Sequence, residues 1–297
     1  MRAVSVSGIR RTFFVVVAAV MFAVLAGATY QGVATALERR TNPHPGRLLD
    51  VGGHQLHLSC VGEGQPTVVL QAPAVVMSAA WGWVQRDLTP VTRVCSYDRS
   101  GLGWSEAGDS GYDPSRAVDE LRVLLDRSGE KRPFVMVGHE LGASLAVAYA
   151  SRYRADVAAL VLIDRPAQGG SFDRAADVRL SESWPWLART GLLRASRLLS
   201  RRVEGLPESS AAALSAFLNR PDHLTRAADE LSKWDETVTL GASPLDASLR
   251  VEQLQVGGSA GAAPLNEAAE AKKVAAAIAN VVTTVRRGPR NPTSREP

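Results

Sequence analysis

The first pattern along the chain is an unbroken apolar one. Residues Phe13 to Thr29 carry no charge and are mostly Val, Ala, Phe, Leu and Met, and the charge-free stretch continues to Leu37, with Tyr30, Gln31 and Thr35 as its clear polar interruptions. A helix of about 20 apolar residues crosses a bilayer, so this stretch predicts a transmembrane segment. After a linker from Asn42 to Gly46 the pattern changes. Arg47–Val51 and Gln55–Cys60 flank Gly52-Gly53 and predict a hairpin. Thr67–Leu70, Arg93–Tyr97, Phe134–Val137 and Val157–Ile163 are short apolar runs suited to buried parallel strands. Helical segments fall between them: Ala80 to Leu88, Leu141 to about Tyr153, and a helix opened by Asp113-Pro114 with Val118, Leu121, Leu124 and Leu125 on one face. This β-α-β alternation predicts an α/β fold, a mostly parallel sheet with helices on both sides.

From about Ala167 to Leu240 the alternation stops. Leu192–Leu199 and Ser209–Leu218 have helical character, so the stretch reads as a helical cap insertion, with Trp184, Trp186 and Trp234 expected to supply its apolar contacts. A strand returns at Val251–Val256, and a last helix carries Val274, Ile278, Val281, Val282 and Val285 on one face. The expected division is an anchor and linker over 1–46, one domain over 47–287 with its cap at about 167–240, and a disordered tail over 288–297.

Composition adds compartment and partners. With 297 residues, 45% of them hydrophobic and 22% charged, the chain is long enough to bury a full core. The net charge of +4 is spread along the chain in short clusters only, which favours a solvated surface over a nucleic-acid footprint, and no nucleic-acid partner is expected. Arg2, Arg10 and Arg11 precede the apolar run and Glu38, Arg39 and Arg40 follow it, which points to N-terminus inside and body outside. The rival is a secretory signal peptide cleaved at Ala34-Thr35-Ala36, but the apolar run is long and that site lies far beyond its core. Either way the globular part leaves the cytoplasm, where Cys60 and Cys95 are either a disulfide or two buried thiols. No cofactor and no metal site are expected.

The segment Phe134-Val135-Met136-Val137-Gly138-His139-Glu140-Leu141-Gly142 is an apolar strand, a Gly-x-Xaa-x-Gly turn and a helix. It resembles the nucleophile elbow of α/β hydrolases, a strained strand-to-helix turn that presents the nucleophile. His54 to Gly64 is similar to that family's second-strand pattern, Arg93 to Ser105 is very close to its fourth-strand motif, and Val157 to Asp164 looks like its sixth strand. The resemblance runs from about Gly46 to Pro166, resumes weakly in the final helix, and points to an exported or membrane-anchored subgroup. It implies that the second and fourth strands are neighbours, which brings Cys60 and Cys95 within reach and raises the disulfide to equal standing with free thiols.

Acyl transfer on this fold needs a nucleophile, a histidine base, an orienting acid and an oxyanion hole. The nucleophile position holds Glu140, and Ser144 lies one helical turn away from the tip. The histidine should precede the last helix, yet none of His44, His54, His57, His139 and His223 lies there. Residues 257–265 are too few for a further crossover and strand, and they contain no Asp or Glu. The last strand is therefore expected to be missing together with the histidine loop, an edge that would expose apolar surface and unpaired backbone. Asp164 is a substitute acid with no base to orient. The oxyanion loop reads Gln71-Ala72-Pro73-Ala74-Val75-Val76-Met77, where Pro73 has no N–H and the valines restrict the backbone. The expectation is a membrane-anchored, catalytically inactive hydrolase-like protein that binds a small molecule, a lipid or a protein. The alternatives are a hydrolase of small esters using Glu140 as nucleophile, and a truncated chain that folds poorly.

Overall fold

A computed structural model describes residues 6–167, 174–199, 202–256 and 264–288. The tail expected to be disordered lies, beyond Gly288, outside the described residues, as does most of the loop after the last strand.

The apolar run forms helix α1 (Val6–Thr41), the one described helix long and apolar enough to cross a membrane. Its side chains from Phe13 to Leu25 stand in the open, and Gly27 is packed against the body.

The body is built on seven strands: β1 (Arg47–Asp50), β2 (Gln55–Val61), β3 (Val68–Gln71), β4 (Val94–Tyr97), β5 (Phe134–His139), β6 (Val157–Ile163) and β7 (Arg250–Leu254). Their order is β1-β2-β4-β3-β5-β6-β7. The first two pairings are antiparallel and the rest parallel. Successive strand residues point to opposite faces. Leu70, Val135, Val137 and Val161 therefore face α2 (Gly82–Leu88) and α10 (Ala268–Arg287), while Val69, Met136, Leu160 and Leu162 face α3 (Pro114–Ser128) and α4 (Leu141–Arg152). Asp113 caps α3 by accepting the Arg116 N–H at 2.7 Å, Pro114 sits at its first turn, and left-handed Gly129 ends it.

Among the described residues β7 is the sheet edge. Its exposed positions are Arg250, Glu252 and Gln253, so the edge is polar rather than the apolar surface expected of a missing strand, and charge there discourages pairing with another chain. At the opposite side Cys60 and Cys95 face each other across β2 and β4, 4.0 Å apart at Cα, and form a disulfide.

The cap comprises α5 (Arg174–Arg189), α6 (Leu192–Ser196), α7 (Glu208–Leu218), α8 (Pro221–Ser232) and α9 (Trp234–Leu240). Trp184 and Trp234 pack against the core as expected, but Trp186 is 70% exposed. Two residues along a helix lie about 200° apart, so Trp184 and Trp186 cannot both face inward.

Candidate functional site

The elbow between β5 and α4 has the conformation its glycines allow. Glu140 sits at φ 48 and ψ −116, a strained region for a non-glycine residue. Its N–H donates to the Ile163 carbonyl at 2.9 Å, while its own carbonyl accepts the Ala143 N–H at 2.9 Å. A Cβ on Gly138 would reach 2.5 Å from the Ala143 Cα, and one on Gly142 would reach 2.6 Å from the Ala72 carbonyl oxygen. Strand, turn and helix thus approach as closely as backbone permits. The Glu140 side chain is half-buried, and no described side chain forms a hydrogen bond or ion pair with its carboxylate. Ser144 is buried against Gly241, off the elbow tip.

All five histidines are among the described residues, and each has other surroundings. His44 is exposed, with Nδ1 2.9 Å from the Gly46 carbonyl, and His54 lies 3.5 Å from Glu120. His57 Nδ1 is 3.0 Å from Asp98, both fully buried. Asp98 also accepts the N–H groups of Ser78 at 2.7 Å and Trp104 at 3.0 Å. Burial opposes its charge, but His57 and the Ser78 donor outweigh that and hold the carboxyl below its usual range. His223 accepts the Gly103 N–H on Nδ1 at 3.0 Å and donates from Nε2 to the Val75 carbonyl at 2.9 Å. Its burial depresses the pKa, so the ring is neutral in that tautomer.

His139 lies beside the elbow. Its ring is buried under Trp81, and Nε2 approaches Asp164 Oδ2 at 3.4 Å without an aligned hydrogen bond. Asp164 is at φ 47 and ties β6 to the end of β7: its N–H donates to Leu254 at 2.9 Å, and its Oδ1 accepts the Val256 N–H at 2.9 Å. Burial alone would raise its pKa, yet His139 and the Val256 N–H prevail and lower it. Sequence reasoning left Asp164 without an imidazole to orient; the structure brings His139 to it.

The loop after β3 departs from a glycine-rich oxyanion turn in a specific way. Val75 adopts φ 71, which is costly for a β-branched residue. Two residues of α8 hold it there, Glu230 Oε2 accepting its N–H at 3.1 Å and His223 donating to its carbonyl. Glu230 also pairs with Arg99, whose guanidinium donates to the carbonyls of Ala72 at 2.7 Å and Pro73 at 2.9 Å. This pair is buried; desolvation works against the Arg99 charge, and Glu230 more than restores it. A cap carboxylate therefore occupies the Val75 N–H. Glu230 was missed from the sequence, although seven residues separate it from His223, two turns along one face of a helix.

Beside His139, Trp81 Nε1 is also buried and has no hydrogen-bond partner among the described residues.

A family model described as alpha/beta hydrolase fold matches residues 75–247, more than half of the chain. A cis-3-alkyl-4-alkyloxetan-2-one decarboxylase of Shewanella oneidensis is 30% identical over 132 residues, 42% of this chain and 40% of that protein. A 2-hydroxy-6-oxo-2,4-heptadienoate hydrolase of Pseudomonas putida is 32% identical over 135 residues, 44% of this chain and 48% of the relative. The chain thus spans less than half the length of each of these curated relatives. Among solved structures, a thermophilic esterase from Thermogutta terrifontis is similar with a TM-score of 0.57 and 19% identity, covering 78% of this chain and 94% of that one. Strand order, elbow geometry and family match agree, and the chain belongs to the α/β hydrolase fold family.

Proposed function

We propose that this protein is a membrane-anchored member of the family that does not complete hydrolytic turnover and instead binds a small molecule or lipid, or a protein, in the former catalytic cleft. The observation that carries the reading is the isolation of Glu140. With no imidazole paired to its carboxylate, nothing activates water to clear an ester formed on it. The occupied Val75 N–H removes one donor for developing charge as well. Binding is supported by the unpartnered Trp81 Nε1, a buried polar atom that a ligand would satisfy.

Retention of α1 as an anchor is supported by its contacts with the cap. Gln31 donates to the Asn219 carbonyl and accepts from Arg194 Nε at 3.0 Å, and Glu38 pairs with Arg194. Cleavage after Ala36 would remove Gln31 from that network. The Cys60–Cys95 disulfide is in keeping with a body outside the cytoplasm.

One observation favours the rival reading of a working hydrolase of small esters. His139 and Asp164 form an imidazole–carboxylate contact next to Glu140 in sequence, a crude base and orienter. An activated acetate ester offered to the full-length protein in nanodiscs separates the two. The expected rate equals the protein-free background in both wild type and Glu140→Ala. Turnover in the wild type that Glu140→Ala abolishes would establish the hydrolase instead.

A further inference from the structure

Outside α1, four large apolar side chains are exposed among the described residues: Val61, Trp186, Leu192 and Leu198. Three of the four fall within one stretch of the cap, on α5, α6 and the turn after α6. That stretch is also where α1 meets the body. The Thr190 carbonyl presses against Gly27 so closely that a Cβ there has no room, and Gly191 lies against the Tyr30 ring. Single exposed leucines are ordinary on a protein surface, but a tryptophan and two leucines beside the only membrane-length described helix are not scattered.

The position along α1 sets their depth. The apolar run from Phe13 to Thr29, ahead of the polar interruptions at Tyr30 and Gln31, is about 25 Å long as a helix, close to the thickness of a bilayer core. Its end coincides with Gly27 and Tyr30, so the cap residues touching those positions lie at the boundary between hydrocarbon and headgroups. Their chemistry suits that boundary. Trp186 is stacked under the Arg189 guanidinium, 4.8 Å from the ring centroid, and aromatic and basic side chains are enriched at membrane interfaces. A cavity of about 410 Å³ opens between α1 and the cap, lined by Tyr30, Arg194, Arg197 and Asn219 among others. Arg194 is neutralised there by Glu38, whereas the exposed Arg197 has no side-chain partner among the described residues.

We infer that this edge of the cap is a second membrane contact: Trp186, Leu192 and Leu198 insert into the interface of the bilayer that holds α1, and Arg197 takes an anionic phospholipid headgroup in the cavity beside Tyr30. The inference rests on the anchor reading above. It fixes the cap on the bilayer rather than leaving it on a free stalk, so the cleft beneath the cap stands close to the lipid surface.

The test uses full-length protein reconstituted into vesicles of phosphatidylcholine with or without phosphatidylglycerol, with brominated acyl chains as quenchers of tryptophan fluorescence. A carbonate wash followed by flotation comes first. Protein stripped from the vesicles would overturn the anchor, and this contact with it. For protein that floats, quenching by bromine near the headgroups is expected, and Trp186→Phe is expected to lose most of it. Phosphatidylglycerol should deepen the quenching in wild type, and Arg197→Gln should remove that increment. Floating protein whose tryptophans are unquenched, or quenched equally in Trp186→Phe, would overturn the contact and leave the anchor standing. An increment unchanged by Arg197→Gln would overturn the headgroup assignment.

Discussion

Three non-glycine residues at the same end of the sheet, Val75, Glu140 and Asp164, adopt positive φ, and the turns at Glu140 and Val75 are held in different ways. Glu140 at φ 48 is fixed by the scaffold, between Gly138 and Gly142, whose missing side chains let strand and helix touch. Val75 at φ 71 is fixed by the cap, through Glu230 on its N–H and His223 on its carbonyl. Strain of this kind costs about 1–3 kcal/mol and survives only where surroundings over-determine it. The elbow is thus part of the fold, set by the close approach of strand and helix. The loop after β3 depends on the cap, whose carboxylate takes the Val75 N–H.

The comparison breaks most visibly at Glu230. Glu230→Ala leaves Arg99 buried without its partner and releases Val75, so chemical denaturation should show a loss of about 3–5 kcal/mol. A loss under 1 kcal/mol would mean that the clamp does not hold the loop. Gly142→Ala probes the scaffold side. Its Cβ would meet backbone oxygens, which cannot swing aside, and a loss of about 2–3 kcal/mol is expected by the same measurement. Wild-type stability would show that the elbow is looser than its geometry implies.

The smallest effect is in pH. His223 is held below its usual value of 6.5 by burial, so the unfolded chain takes up a proton where the folded protein does not. Stability from this group is complete above about pH 6.5 and falls as pH drops below it. The carboxyls of Asp98, Asp164 and Asp222, all lowered from 3.8, act further into the acid range. His223→Gln should flatten the fall between pH 7 and pH 5.5. An equally steep fall in that variant would assign it to another group.

Most of the fold was legible because its strands are short apolar runs between amphipathic helices, and because the elbow and the fourth-strand motif are local in sequence. Val118, Leu121, Leu124 and Leu125 fixed the buried face of α3, just as Val274, Ile278, Val281 and Val282 fixed that of α10. Residues joined across long separations were not legible. Glu230 meets Arg99 and Val75 only because the cap folds back over the sheet, and a carboxylate in a charged helix reads as solvated. His139 meets Asp164 because neighbouring strands β5 and β6 end level, a register that no local pattern reveals. Trp186 was assigned to the cap interior on composition, and only its helical phase against Trp184 puts it outside.

The most direct test of the central claim, that no imidazole serves the elbow, is to restore the nucleophile alone. Glu140→Ser, given an activated acetate ester and followed for both an acylation burst and steady release, is predicted to show neither above background. A burst followed by steady hydrolysis would mean that a base reaches residue 140, and the claim would be wrong.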